Sequence, residues 1–260
     1  MTSKGWWVVV AVVFLGAVVC IGPRAAAQNS EVKAKPPIYV YVGQWAIPRA
    51  QWADMEKSRA DDLGILQQAM TSGTIVGYGD DTILVHQPDQ PTHDDWWVSM
   101  SMAGLMNVLD QFYKSGSSSR SVLESATKHW DDILISRYYN WHPGTLKGAY
   151  SETSVYKLKP TADADSFNIL CTAVFVPVME KLLAQGAIQE YDIDTEAIHT
   201  EAPGMIFVNF IAANADGLDK VRAAVQQMTH DNALFAPAFD SMIDFSAHRD
   251  YLSRTNSTFK

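Results

Sequence analysis

The chain has 260 residues, with 20 basic against 29 acidic side chains and a formal net charge of −9. That balance argues against nucleic acid and anionic membrane surfaces as partners, since both would repel it. Of its two cysteines, Cys20 and Cys171, the first lies in an N-terminal apolar segment, so a disulfide scaffold is excluded and stability must come from apolar cores.

The first 27 residues, MTSKGWWVVVAVVFLGAVVCIGPRAAA, place one positive charge at Lys4 before an uncharged apolar run from Gly5 to Gly22. Pro23 and the small residues Ala25-Ala26-Ala27 follow, which is the order of a secretory signal peptide with cleavage after Ala27. An uncleaved anchor is the rival reading, because the run could nearly span a bilayer. The expectation is an exported chain, periplasmic or extracellular, with no stable membrane insertion once residues 1–27 are removed. The remainder would carry 18 basic and 29 acidic side chains, a charge of −11.

After the leader, IYVYVGQW (38–45) alternates like a strand, and LGILQQAMTSG (63–73) spaces its apolar residues like an amphipathic helix closed by glycine. GTIVGYGDDTILVH (73–86) reads as a second strand and WWVSMSM (96–102) as a third. AGLMNVLDQFYK is again helical, a helical segment around Val122, Ala126, Trp130, Ile133 and Leu134 follows, and ISRYYN (135–140) is a fourth strand. HPGTLKGAYSET (142–153) is rich in Gly, Pro and hydroxyl residues and is expected to be a linker.

The same order then returns. SVYKLKP (154–160) reads as a strand and VPVMEKLLAQG (176–186) as a helix, followed by GAIQEYDIDTEAIH (186–199), MIFVNFI (205–211), ADGLDKVRAAVQQM, ALFAPAFDSMI and AHRDYL (247–252). The stretches 73–86 and 186–199 share six of fourteen residues, namely Gly73/Gly186, Ile75/Ile188, Tyr78/Tyr191, Asp81/Asp194, Thr82/Thr195 and His86/His199. Average residue usage would give about one. The expected fold class is therefore α+β, two tandem ferredoxin-like (βαββαβ) repeats over 36–141 and 154–254, preceded by a signal peptide.

A strand opening at a glycine after the first helix, then a strand that begins with aromatic residues and runs into a helix, resembles the dimeric α/β-barrel superfamily. That group includes cofactor-independent monooxygenases, lactone isomerases and haem-binding relatives of chlorite dismutase. The resemblance implies two ferredoxin-like sheets packed face to face as a barrel-like body, either within a tandem chain or between two copies as a homodimer. It implies a fold and leaves the reaction open.

Strand alternation puts Thr82, Leu84 and His86 on one face, and Thr195, Ala197 and His199 on its counterpart. Trp97, Ser99 and Ser101 share a face of the next strand, with Ser99 matched by Asn209. The expectation is a small organic molecule bound in a cavity of the first repeat, with His86 as general acid or base and Tyr78, Thr82, Trp97, Ser99 and His199 as ligand-binding residues. His86 and His199 are more simply explained as residues inherited with the repeat, each imidazole hydrogen-bonded to the next turn. Asp81 and Asp194 read as groups capping a strand bulge before they read as acids. No metal-ligand spacing, phosphate loop, dinucleotide fingerprint or serine-hydrolase elbow occurs, so neither metal nor cofactor is expected. Enzyme, binding module and structural protein remain open, and His86→Ala is expected to abolish turnover only in the first. Beyond the leader all six tryptophans, Trp45, Trp52, Trp96, Trp97, Trp130 and Trp141, lie in the first copy, which marks that half as the one with the pocket.

Overall fold

The computed structural model describes residues 34–260 apart from 89, 201–202 and 232–234; the expected signal peptide, 1–27, lies outside them. Alternation of side chains builds the strands. In β1 (Ile38–Trp45), Ile38, Val40 and Val42 join one apolar cluster while Tyr39 and Tyr41 join another on the opposite face. The remaining strands are β2 (Gly77–Ile83), β3 (His93–Ser99), β4 (His129–Trp141), β5 (Gly144–Lys157), β6 (Glu190–Ile198), β7 (Met205–Ala212) and β8 (Arg249–Phe259).

These eight strands form one closed antiparallel barrel in the order β1-β3-β2-β8-β5-β7-β6-β4. This corrects the expected architecture. The chain is not two tandem ferredoxin-like repeats with separate sheets packed face to face; the sheet is a single ring. The cause lies at the edges, where each outer strand would otherwise leave a row of N–H and C=O groups unpaired. β2 instead pairs with β8 from Gly77↔Phe259 to Ile83↔Ser253, and β4 pairs with β6 from Trp141↔Glu190 to Ile133↔Ile198. Residues 142–153, expected to link two domains, contribute most of the long strand β5, which follows β4 almost directly.

Helices pack on the outside. α1 (Trp52–Ser72) and α2 (Met102–Ser115) cover the first four strands. They enclose Tyr41, Ala69, Ile75, Tyr78, Trp97, Leu105 and Val108. α3 (Ser121–Glu124) is a single turn against α1. On the other half, α4 (Ser166–Leu170) and α5 (Val176–Ala184), joined by a π-helical turn at Cys171–Phe175, pack with α6 (Ala215–Asp231) and α7 (Phe235–Met242) over Ile188, Tyr191, Ile193, Ile206, Val208 and Phe210. Burying each such aliphatic or aromatic side chain contributes about 1.5–3 kcal/mol. Gly73 and Gly186 end α1 and α5 with φ of 75° and 65°, a left-handed turn that a side chain would disfavour.

A bulge on β4 sets which aromatics look inward. The register shifts between Ser136 and Tyr138, so Tyr138 joins the helix-side core while Tyr139 and Trp141 join the interior clusters. No register shift occurs along β2, where Asp81 was expected to cap a bulge.

Candidate functional site

The inward faces of the strands enclose a cavity of about 710 Å³ inside the barrel. That volume falls in the range of small-molecule sites, about 300–1,000 Å³. At one end Trp96 and Phe259 form an aromatic floor, with ring centroids 5.6 Å apart, and Trp141 stacks on Phe259 at 5.6 Å and on Tyr139 at 5.4 Å. Two glycines of β2 make room for this floor. A Cβ on Gly79 would stand 2.4 Å from the Trp96 ring and 2.8 Å from the Asn256 carbonyl oxygen, and one on Gly77 would stand 2.7 Å from the Phe259 ring. The lining at the opposite end includes the exposed residues Lys128, Asp131, Thr200 and Arg249.

Between floor and mouth the wall is unusually acidic. β6 turns Glu190, Asp192, Asp194 and Glu196 into the cavity at alternate positions, and Asp81 on β2 pairs across the strands with Asp94 on β3. Apolar side chains, Val40, Val42, Val98, Leu134, Phe207 and Ile211, fill much of the rest.

Carboxylates on the two faces of the barrel have different partners. Outside, Asp80 and Asp95 face each other across β2 and β3, and the buried Arg59 of α1 lies 2.7 Å from Asp95 and 3.8 Å from Asp80. Its guanidinium also donates to the Asp81 and Asp94 carbonyls at 2.8 and 2.6 Å, which pins the strands beneath it. Glu152 on β5 likewise receives both Arg222 nitrogens, at 2.7 and 2.6 Å. Inside, the corresponding role falls to a neutral amide: Asn209 Nδ2 donates to Asp192 Oδ1 at 2.6 Å and to Asp194 Oδ2 at 3.1 Å. Asp194 Oδ1 and Asp81 Oδ1 are buried without a hydrogen-bond partner.

Burial without a counter-ion favours the neutral acid. It pushes Asp81 up to about 6, opposed by the hydroxyls of Thr255 and Ser151 and by Arg59. Asp192 also rises to about 6 through burial, against the Asn209 hydrogen bond. Asp94 stands well above the usual carboxylate range through burial and then Asp81, Asp194 through burial and then Asp192, and Glu190 through burial and then Asp192 and Asp194. Such a wall can hold a cation, donate hydrogen bonds from protonated acids, or exchange a proton near neutral pH.

The residues singled out in the sequence lie elsewhere. Tyr78 and Trp97 are buried on the helix side; Trp97 stacks on Tyr41 at 4.2 Å and donates to the Leu105 carbonyl. Both border a second, much smaller pocket of about 50 Å³ beside Arg59. Ser99 donates to the Thr74 carbonyl at 2.8 Å, and Thr82 contacts Glu56 and Arg59. His86 is exposed after β2, with Nδ1 3.3 Å from the Ile83 carbonyl and its ring 5.9 Å from that of Trp52. His199 is exposed after β6. The structure thus brings Tyr78 and Trp97 together and leaves His86 and His199 apart from them, while the large cavity takes the alternate residues of the same strands. The signal for that choice was present in Asp81 and Asp194, and in four acids spaced by two along EYDIDTE. Cys171, read as a core residue, is buried, and burial raises its thiol pKa so that it stays protonated.

Among the described residues no group of three or more His, Cys, Asp or Glu is arranged to hold a metal ion. No protein-family model matches the sequence, and no curated protein matches it either. Solved structures do match the fold. A proposed monooxygenase of Fusobacterium nucleatum superposes with a TM-score of 0.61 at 8% identity, over 87% of this chain and 95% of that one. A proposed monooxygenase of Lactobacillus acidophilus gives 0.52 at 10% identity, over 85% and 94%, and an anthrone oxidase-like protein gives 0.50 at 8%, over 86% and 94%. These neighbours belong to the dimeric α/β-barrel superfamily. At such low identity the likeness is one of fold.

Proposed function

We propose that this protein binds a small organic molecule inside its barrel. The observation that carries this reading is the cavity of about 710 Å³, with an aromatic floor, apolar walls and polar groups left without partners. A purely structural barrel gains stability by filling its interior, because close packing is worth more than empty volume. The lumen is preferred to the surroundings of Tyr78 and Trp97 because about 50 Å³ there accommodates little beyond water. Export of the protein, inferred from the leader, is part of the same proposal. The barrel closes within one chain, so a second copy is not needed to complete its sheet.

A second reading, an enzyme of the cofactor-independent monooxygenase or isomerase type, draws on the fold likeness and on one feature of the site. Asp81 and Asp192 face the cavity with pKa values near 6, suited to taking and returning a proton at neutral pH. Trp96 and Trp130 line the same space, so ligands should be read out in their fluorescence. A panel of neutral aromatic and apolar compounds, Nile red among them, is expected to change tryptophan emission saturably; a flat response across the panel would overturn the binding reading.

A further inference from the structure

The carboxyl-lined wall carries a statement about ligand class, which rests on the lumen being a binding site. Glu190, Asp192, Asp194 and Glu196 occupy alternate positions of one extended strand and all line the cavity. Successive inward residues of an antiparallel strand are about 6.8 Å apart, so the four form a column roughly 20 Å long. Pairing with β7 from Glu190↔Ile211 to Thr195↔Ile206 fixes the backbone of the first three, and Glu196 pairs with Leu134 of β4. Around the ring, the Asp81–Asp94 pair adds a second acidic position.

Two observations independent of the charge count show that the column is incompletely satisfied from within the protein. Asp194 is wholly buried and Asp81 is 5% exposed; both are among the cavity lining, and each has one carboxylate oxygen with no hydrogen-bond partner. One amide, that of Asn209, serves both Asp192 and Asp194. Carboxylates on the outer face are treated differently, with Arg59 and Arg222 supplied from the helices. The cations of the lining, Lys128 and Arg249, are exposed at its mouth. Deeper in, Asp192 and Asp194 are held by an amide in place of a guanidinium, the pattern expected where a cationic ligand completes the site.

A metal ion fits poorly, because the acids are spread along a strand and not gathered at a point. An organic cation with several charges fits better. At about 1.5 Å per bond, five bonds in zigzag reach roughly 6 Å, so ammonium groups joined by four methylenes match the step between inward residues. The methylenes would lie on Val40, Val42, Leu134, Phe207 and Ile211, which share the lumen with the acids. We infer that the barrel takes a linear aliphatic di- or polyamine, its ammonium groups set along the Glu190–Glu196 column. Burial without such a partner is what drives these carboxyls towards their neutral forms, so an ammonium ion would draw them back to carboxylates.

The test is isothermal titration of the full chain with putrescine, spermidine and spermine near neutral pH and low salt, with 1,8-octanediol as an uncharged control of similar shape. Saturable binding is expected for spermidine and spermine, weakening with added salt, and none for the diol. Asp192→Asn combined with Asp194→Asn should weaken spermidine roughly tenfold or more while circular dichroism is retained. If the double variant does not fold, Asp194→Asn alone makes the same comparison. No saturable binding of any amine, or binding unchanged in the folded variant, overturns the inference. Nile red separates the two levels: dye bound without amine removes the amine class alone, and neither bound removes the lumen site as well.

Discussion

The stretches that hold β2 and β6 share six of fourteen residues, yet the two strands present opposite chemistry to the same cavity. Tyr78 and Tyr191 both point outward into helix-side cores, and Asp81 and Asp194 both point inward. At the two inward positions before each Asp, β2 has Gly77 and Gly79, onto which Phe259 and Trp96 pack, and β6 has Glu190 and Asp192. A pair of glycines thus makes one wall aromatic, and a pair of acids makes the other ionisable. The halves share strand geometry because backbone pairing and helix packing demand it, and they differ where neither does.

Substituting across this comparison breaks it most severely. Gly79→Asp writes the β6 residue into β2, where its Cβ would meet the Trp96 ring and the Asn256 backbone. Overpacking and an unpaired buried acid together should cost on the order of 4–5 kcal/mol, measured by chemical denaturation. A loss below about 1 kcal/mol would mean that Trp96 does not lie on β2 as described.

A smaller effect of opposite sign is expected on the acidic wall. Asp94, Asp194 and Glu190 have raised pKa values in the folded chain. A raised carboxyl stabilises the fold fully below its unfolded pKa, and that contribution is lost as pH rises through the folded value. His93, buried and lowered to about 3, acts the other way, adding stability above its ordinary value and losing it as pH falls. Above the range in which the unfolded histidine titrates its contribution is constant, so there the ligand-free protein should become less stable as pH rises through the raised carboxyl values. Asp194→Asn should raise stability near pH 8 by about 1–2 kcal/mol and flatten the slope. Destabilisation instead would show that Asp194 is already well partnered.

The smallest effect belongs to the loop beyond β2. His86 is exposed and outside the lumen, so His86→Ala should change stability by less than about 0.5 kcal/mol and leave lumen binding of Nile red unchanged. A large loss of binding would return the site to the face shared by Thr82 and His86.

Much of the element order was legible in the sequence. Alternation in IYVYVGQW and MIFVNFI, and glycine ends after LGILQQAMTS and VPVMEKLLAQ, placed strands and helix C-termini close to those observed. By contrast α1 begins at Trp52, well before residue 63, and Trp130, Ile133 and Leu134, expected in a helical segment, lie in β4. Closure of the ring was not legible, because pairing of β2 with β8 and of β4 with β6 joins segments far apart in the chain, and HPGTLKGAYSET has turn-like composition yet mostly forms part of β5. The site was half legible. Alternation separated Trp96 from Trp97 and Asp81 from Thr82, but both faces of these strands are buried, one by helices and one by the barrel, so periodicity could not say which face encloses space. The acids on EYDIDTE are the signal that points inward, and of them only Asp194 is singled out in the sequence, as a group capping a strand bulge.

The lumen as a ligand chamber is tested most directly by Nile red titration of the wild type against Thr153→Phe. Thr153 lies on β5 opposite Asn209 and lines the cavity, so a phenyl ring there occupies ligand volume with room to fit. The account predicts saturable dye binding to the wild type, reduced roughly tenfold or more in a variant with unchanged circular dichroism. Equal dye binding by the two folded proteins would contradict it.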